Sequence, residues 1–350
     1  MLDARAISKT ISACLLGALA SAALLATSAP LRAADFYAGK TIELLVGAPP
    51  GGGYDIYART VGRHIARFIP GNPSVVVKNM PGAGSAKAAQ YISTLAPKDG
   101  TSFAGVMPGA IMGTLLDPNV DATFDPTKVR YIGTANSGTR ICVTLKGSKV
   151  TTFDEAQKIP AKFGGAAPND STYDYGYLHK HTAGAVFDIV SGYRGTNEMA
   201  LAMERGELDG MCGWDWSSFK SQRPDWLRDK KANVLLQVSL DPHPELTQMG
   251  VPSVFKYVTN ETDKKVVELV VSQTVFLRSY ILPPETPPEQ VAILRGAFDA
   301  TMKDKQFLDE AEKLRIDISP LSGAKVQELV QKVHATPKDI AERARKAIRP

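Results

Sequence analysis

The sequence predicts an α/β protein in two lobes, each a mixed but mainly parallel sheet flanked by helices. Three observations predict it. Short apolar runs rich in β-branched residues alternate with helical stretches of about a dozen residues, the pattern of βαβ units. The alternation occurs twice, on either side of the small, polar stretch Thr134-Ala135-Asn136-Ser137-Gly138-Thr139. At 350 residues the chain is long enough for two ordinary cores.

The first half opens with Ile42-Glu43-Leu44-Leu45-Val46, a strand that meets Pro49-Pro50-Gly51-Gly52-Gly53-Tyr54-Asp55 and a helical run from Ile56 to Phe68. A strand, a glycine turn and a helix N-terminus form a ready anion cradle, because glycines admit backbone N–H groups and the helix end adds partial positive charge. Ser74 to Lys78 is a second strand, Asn79 to Gly84 a turn, and Ser85 to Leu95 a helix. Thr101 to Val106 is a third strand, leading through Met107-Pro108-Gly109 to a short helix ending near Leu116. In such sheets ligands gather at the carboxyl ends of parallel strands, which places these turns on one edge.

In the second half, Ile141 to Leu145 is a strand and Phe153 to Ile159 a short helix. A further strand end feeds Asn169-Asp170-Ser171-Thr172, where Thr172 is placed to cap a helix from Tyr173 to Gly184. Val186 to Ser191 is a strand that leads to Tyr193-Arg194-Gly195-Thr196, followed by a helix stopped by Gly206. Leu208 to Gly213 is a strand ending in Trp214-Asp215-Trp216, and Val234 to Leu240 is the return strand. The remainder reads as helices over Pro288–Lys303, Lys305–Leu314, Gly323–His334 and Pro337–Ile348.

Composition narrows the classes of function. Hydrophobic residues make up 44% and charged residues 22%, which fits a globular chain. Arg5 and Lys9 precede an apolar run from Ile11 to Leu25, and Leu31-Arg32-Ala33 offers a cleavage site. Residues 1–33 therefore read as a signal peptide cleaved near Ala33; the run is shorter than the ~20 residues that span a bilayer. The formal charge of +5, less the leader's +2, leaves +3 spread along the chain. With no basic cluster, nucleic acid is not expected as a partner. Export leaves Cys142 and Cys212, which can pair in an oxidising compartment or persist as two buried thiols; the disulfide is favoured.

Several chemistries lack their residues. Gly82-Ala83-Gly84-Ser85-Ala86-Lys87 departs from a dinucleotide fingerprint at its third glycine, and the Pro49–Tyr54 turn lacks the Lys-Ser/Thr pair of a phosphate loop. No Gly-X-Ser-X-Gly occurs. His179 and His181 stand two apart on a helix and diverge, so they make no metal face. No cofactor, metal or catalytic residue is expected.

The ordered set PGGGYD, NMPGAG, KDGTSFAG, YRGTNEMALAMERGELDGM and LPPETPPEQVAILRGAF resembles the extracytoplasmic solute receptors of tripartite tricarboxylate transporters, the Bug-type periplasmic binding proteins. The resemblance covers essentially the whole mature chain. Tyr54 stands where a small hydroxyl residue is usual, Lys98 replaces a proline, and Arg194 replaces lysine. The resemblance implies a two-lobed, type II-like binding fold with residues 34–138 plus 241–350 as lobe 1 and 139–240 as lobe 2. It also implies a periplasmic monomer that captures a small organic carboxylate and hands it to integral-membrane transporter subunits. Closure is expected about two crossing segments, Asn136 to Arg140 and Ser239 to Pro242.

The site implied by the resemblance takes Gly51, Gly52, Gly53, Tyr54 and Asp55 with Met107, Pro108 and Gly109 from lobe 1. From lobe 2 it takes Asn169, Asp170, Ser171, Thr172, Tyr193, Arg194, Gly195, Thr196 and Trp214. Asp55 is expected to brace its own loop, since a carboxylate would repel an anion, and Arg194 is the cation expected either to meet the ligand or to stand exposed at the rim. Of Tyr54, Tyr173, Tyr193, Trp214 and Trp216, three fall in turns at strand ends, which suggests a bulky or aromatic carboxylate. A ligand-sensing adaptor and a secreted hydrolase are the alternatives.

Overall fold

The computed structural model describes residues 36–117 and 124–350; the proposed leader and cleavage site lie outside the described residues. The strands are β1 (Thr41–Val46), β2 (Ser74–Asn79), β3 (Ser102–Val106), β4 (Arg130–Thr134), β5 (Arg140–Leu145), β6 (Ala161–Gly164), β7 (Phe187–Val190), β8 (Gly210–Asp215), β9 (Ala232–Val238), β10 (Ser279–Leu282) and β11 (Leu321–Ser322). They form two sheets: six strands in the order β11-β4-β10-β3-β1-β2, and five in the order β7-β6-β8-β5-β9. No helix among the described residues is long and apolar enough to cross a membrane.

Strand β1 runs parallel to β2 and β3, with Leu44 opposite both Val77 and Phe103. Four of its six residues are buried because helices cover both sheet faces, as the near-continuous apolar sequence requires. The helix Gly53–Ile65 turns Tyr57, Ala58, Val61 and Ile65 onto one face, at helical spacing, where they join Leu44, Phe103 and Phe298 in a core. In the second sheet β6 is parallel to β7 and β8. Ile141, Met211 and Trp214 pack there with Met199, Phe219 and Trp226 in a separate cluster.

Each sheet also contains antiparallel strands, as the expected mixed sheets require, though the alternating sequence pattern did not place them. Strand β10 runs antiparallel to β3 and β4, and β5 antiparallel to β8 and β9. The chain enters the second sheet from the cleft side at Arg140 and re-enters the first from the same side at Ser279. A strand that starts where its parallel neighbours end must run against them. β4, β10 and the helix Glu261–Ser272 had no counterpart in the sequence reading; β10 is only four residues long and follows a helical stretch without a glycine break.

The segment Ala135–Thr139 links β4 to β5. After β9 the chain stays on the second sheet. Gln237 accepts from the His243 amide and donates to the Val251 carbonyl, and Leu246 lies in the second sheet's cluster. The chain therefore still packs on the second sheet through about Pro252, because the buried Gln237 amide needs those partners.

Candidate functional site

The cleft between the sheets holds a cavity of about 60 Å³. Its lining shows what the turns contribute. Gly52, Gly53, Tyr54 and Met107 reach it from the first sheet's edge, and Asp170, Ser171, Thr172 and Trp214 from the second's. Gly195 and Thr196 line the same cavity, with Arg194 at its edge.

The remaining expected residues serve elsewhere. Asp55 accepts hydrogen bonds from the Gly51 amide (2.9 Å), Arg59 Nε (2.9 Å) and Asn79 Nδ2 (2.8 Å), so it braces the glycine turn as its charge required. Burial alone would raise its pKa; the hydrogen bonds from Arg59, Gly51 and Asn79, with the Arg59 charge, outweigh that and lower it. Asn169 is an interlobe brace: its amide donates to Asp174, and its side chain meets Asp117 and Arg349. Its carbonyl sits so close to Gly109 that any Cβ there would overlap it. Pro108 occupies the first turn of the helix Pro108–Leu116. Tyr193 packs on the second sheet's cluster.

One expectation is corrected. Thr172 does not cap the helix Ser171–Thr182. Asp170 does, accepting from the Thr172 amide at 2.8 Å and its hydroxyl at 2.6 Å, while Thr172 Oγ1 accepts from the Ala166 amide. Arg194 takes the exposed position at the rim of the cavity. Its side chain is 86% exposed and lies beside Glu198.

The cations at the cavity are Arg140 and Arg278, 3% and 2% exposed. Arg140 opens β5 from the second sheet; its guanidinium donates to Tyr54 Oη of the first (3.1 Å) and to the Gly213 carbonyl (3.2 Å). Arg278 precedes β10 in the first sheet and reaches Asp215 Oδ1 (2.8 Å) and Ser218 Oγ (2.6 Å) of the second. Its guanidinium carbon lies 4.1 Å from the Tyr54 ring centroid and 4.7 Å from that of Tyr57. Burial would lower the Arg140 pKa, but Tyr54, Asp215 and Tyr175 raise it, so it keeps its charge.

These side chains are incompletely satisfied. Arg140 Nε, Arg278 Nε and Nη1, Trp214 Nε1 and Gln222 Nε2 are buried without hydrogen-bond partners, and all four residues line the cavity. Buried donors of this kind are costly unless something accepts from them. Sequence reasoning missed both arginines because it looked for ligand groups after parallel strands. These two residues stand before antiparallel ones, at the same edge. The available signal was a lone arginine directly ahead of a strand near each crossing.

The aromatic residues divide. Tyr54 and Trp214 line the cavity, whereas Trp216 stacks on Phe219 and donates to Glu245, and Tyr173 packs against Tyr177. Cys142 and Cys212 are bonded to each other, with Cα atoms 3.9 Å apart. Together with His179 they are the one group of metal-ligand residue types drawn together among the described residues, and the disulfide occupies both sulfurs.

No family model matches the chain. A protein of Pseudomonas sp. strain P51, described as a UPF0065 protein in the tcbD–tcbE intergenic region, is 27% identical over 238 residues, 66% of this chain and 68% of that one. MatC of Rhodopseudomonas palustris, solved with malate bound, superposes with a TM-score of 0.67 at 18% identity, covering 87% of this chain and 99% of its own. Rpa4515 of R. palustris, solved with adipate, gives 0.67 at 19% identity over 87% and 97%. The periplasmic binding protein BugD gives 0.68 at 18% identity over 89% and 98%. The two mixed sheets and these superpositions agree: the chain has the fold of MatC, Rpa4515 and BugD.

Proposed function

We propose that this protein captures a small organic carboxylate in the periplasm and delivers it to the membrane subunits of a tripartite tricarboxylate-type transporter. The observation that carries the reading is the set of unpartnered donors on Arg140, Arg278, Trp214 and Gln222 around one cavity. A carboxylate offers two acceptor oxygens and a negative charge, and an arginine fork meets it in bidentate fashion. Malate in MatC and adipate in Rpa4515 support the same ligand class.

The mechanism is closure of the lobes around the anion. Arg140 and Arg278 come from opposite sheets and each reaches across the cleft, so a ligand held by both stabilises the closed arrangement relative to the open one. The turn residues and the N-terminus of the helix Gly53–Ile65 add positive potential on the first side. We place the lobe boundaries at residue 138 for the outward crossing and beyond Pro252 for the return. The protein performs binding and no chemistry, and it acts as a monomer. In place of the bulky or aromatic carboxylate expected from the sequence, we propose a small ligand, since Trp216 and Tyr173 serve packing and the cavity is compact.

Thermal-shift measurement across a carboxylate panel tests the reading. A ligand at 100 times its Kd adds about 2.7 kcal/mol of stability. Absence of a shift with every small carboxylate would reject it.

A further inference from the structure

The charges that share this cavity do not balance. Arg140 and Arg278 are both buried, and the buried carboxylate beside them is that of Asp215, 1% exposed and paired with Arg278. Two guanidinium charges against one carboxylate leave a surplus of one positive charge in a region of low polarisability, where an uncompensated charge is costly. One bound carboxylate removes the surplus. Two would replace it with a negative one. The two more exposed charges at the same lining, Asp170 and Arg194, are opposite in sign and leave this surplus unchanged. The volume points the same way. A cavity of about 60 Å³ suits a compact ligand.

We infer that the cavity selects a compact monocarboxylate, and that Asp215 is the residue that sets this charge limit. The inference rests on the carboxylate-binding reading above and adds the charge of the ligand to it. Asp215 is suited to the role because its second oxygen, Oδ2, is buried without a partner and faces the region beside Gly138, at the outward crossing. Its first oxygen is already used by Arg278, the Ser218 amide and the Ser218 hydroxyl. The carboxylate is thus fixed in position as a standing counter-charge, and it cannot swing aside to admit a second anion. Trp214 Nε1 and Gln222 Nε2 remain as neutral donors for an uncharged acceptor on the ligand, such as a hydroxyl, keto or amide oxygen.

The test compares ligands of the same shape and different charge. Succinamate and succinate differ by an amide in place of a carboxylate, and propionate serves as the smaller monocarboxylate. Titration calorimetry of the wild-type protein at pH 7.5 should show succinamate binding at least tenfold more tightly than succinate. Equal affinities or tighter succinate would overturn the charge limit while leaving carboxylate capture intact. Absence of binding by all three, and by every other small carboxylate, would overturn the function itself. The Asp215→Asn variant keeps an oxygen for the Ser218 and Arg278 contacts and raises the surplus charge to two. It should bring succinate to parity with succinamate or beyond, a relative gain of at least tenfold. An unchanged ratio in a folded variant would assign the selectivity elsewhere; should the variant fail to fold, the wild-type comparison decides alone.

Discussion

Arg140 and Arg278 occupy equivalent positions but differ in what they would leave behind. Arg140 meets only a carbonyl and a tyrosine hydroxyl, so its removal orphans no opposite charge. Replacing it with glutamine should weaken ligand binding about 100-fold or more, since truncating one partner of a buried charge pair costs roughly 2–5 kcal/mol. The free protein should be as stable as wild type or more so, because a buried unbalanced charge has gone. Calorimetric titration and thermal unfolding of Arg140→Gln check both halves; parallel loss of stability and affinity would mean a structural role. A different buried group governs the acid response. Burial holds the His179 imidazole neutral, with a pKa down at about 3 against the ordinary 6.5, and neither ring nitrogen has a partner. The unfolded chain takes up a proton there below pH 6.5 and the folded chain does not, so this contribution is lost as pH falls from 6.5 towards 3. At pH 5 the loss is about 2 kcal/mol, from 1.36 kcal/mol per unit. His179→Leu should flatten the fall in unfolding temperature between pH 7 and 4.5. Asp174 acts in the opposite sense: burial, opposed by the Arg349 charge, pushes its carboxyl up to about 7, so its contribution fades as pH rises through 7. Comparing wild type with the His179 variant cancels that second effect.

Elements carry the precision of the site. The helix Gly53–Ile65 begins without a side-chain cap, and Gly53 packs so closely on Ser218 that a Cβ would collide with its side chain and press on Arg278 at 3.2 Å. Gly52, by contrast, has room, with its nearest neighbour at 3.7 Å. Gly53→Ala should therefore impair closure and lower affinity at least tenfold, while Gly52→Ala stays within a few-fold of wild type. Similar effects of the two on titration would show that contact across the cleft does not govern binding. The pairing of β5 with β8 is tied covalently by Cys142 and Cys212, separated by 70 residues. Closing a loop of that length removes about 4 kcal/mol of chain entropy from the unfolded state. The Cys142→Ala/Cys212→Ala double variant should unfold at a clearly lower urea concentration, which fluorescence of the tryptophans around β8 would report.

At the scale of the molecule, the two sheets are held together by contacts that cross the cleft. Tyr57 Oη lies 2.8 Å from Ser217 Oγ, the Asp317 amide donates to the same Oγ at 2.6 Å, and Asn197 Nδ2 donates to the Gly51 carbonyl. These contacts describe a closed arrangement. Small-angle scattering should show a radius of gyration that decreases when a binding carboxylate is added, and the decrease should be absent in Arg140→Gln. An identical radius with and without ligand would remove closure from the mechanism.

The sequence by itself determined the two α/β units, the strand-to-helix turns that line the cleft, and Asp55 as a brace of the glycine loop. These follow from local patterns: alternating periodicity, glycine where the backbone must approach closely, and a carboxylate beside an anion cradle. Tertiary structure decided which charges meet. Arg140 and Arg278 lie 138 residues apart, and each precedes a strand whose direction depends on how the chain re-enters a sheet. Arg194 carries the same charge within a motif next to the cleft, yet it points into solvent beside Glu198. Local pattern specifies where a strand or helix lies. The choice among arginines rests on long-range register and burial, and these put the two buried guanidinium groups and Asp215 around one cavity.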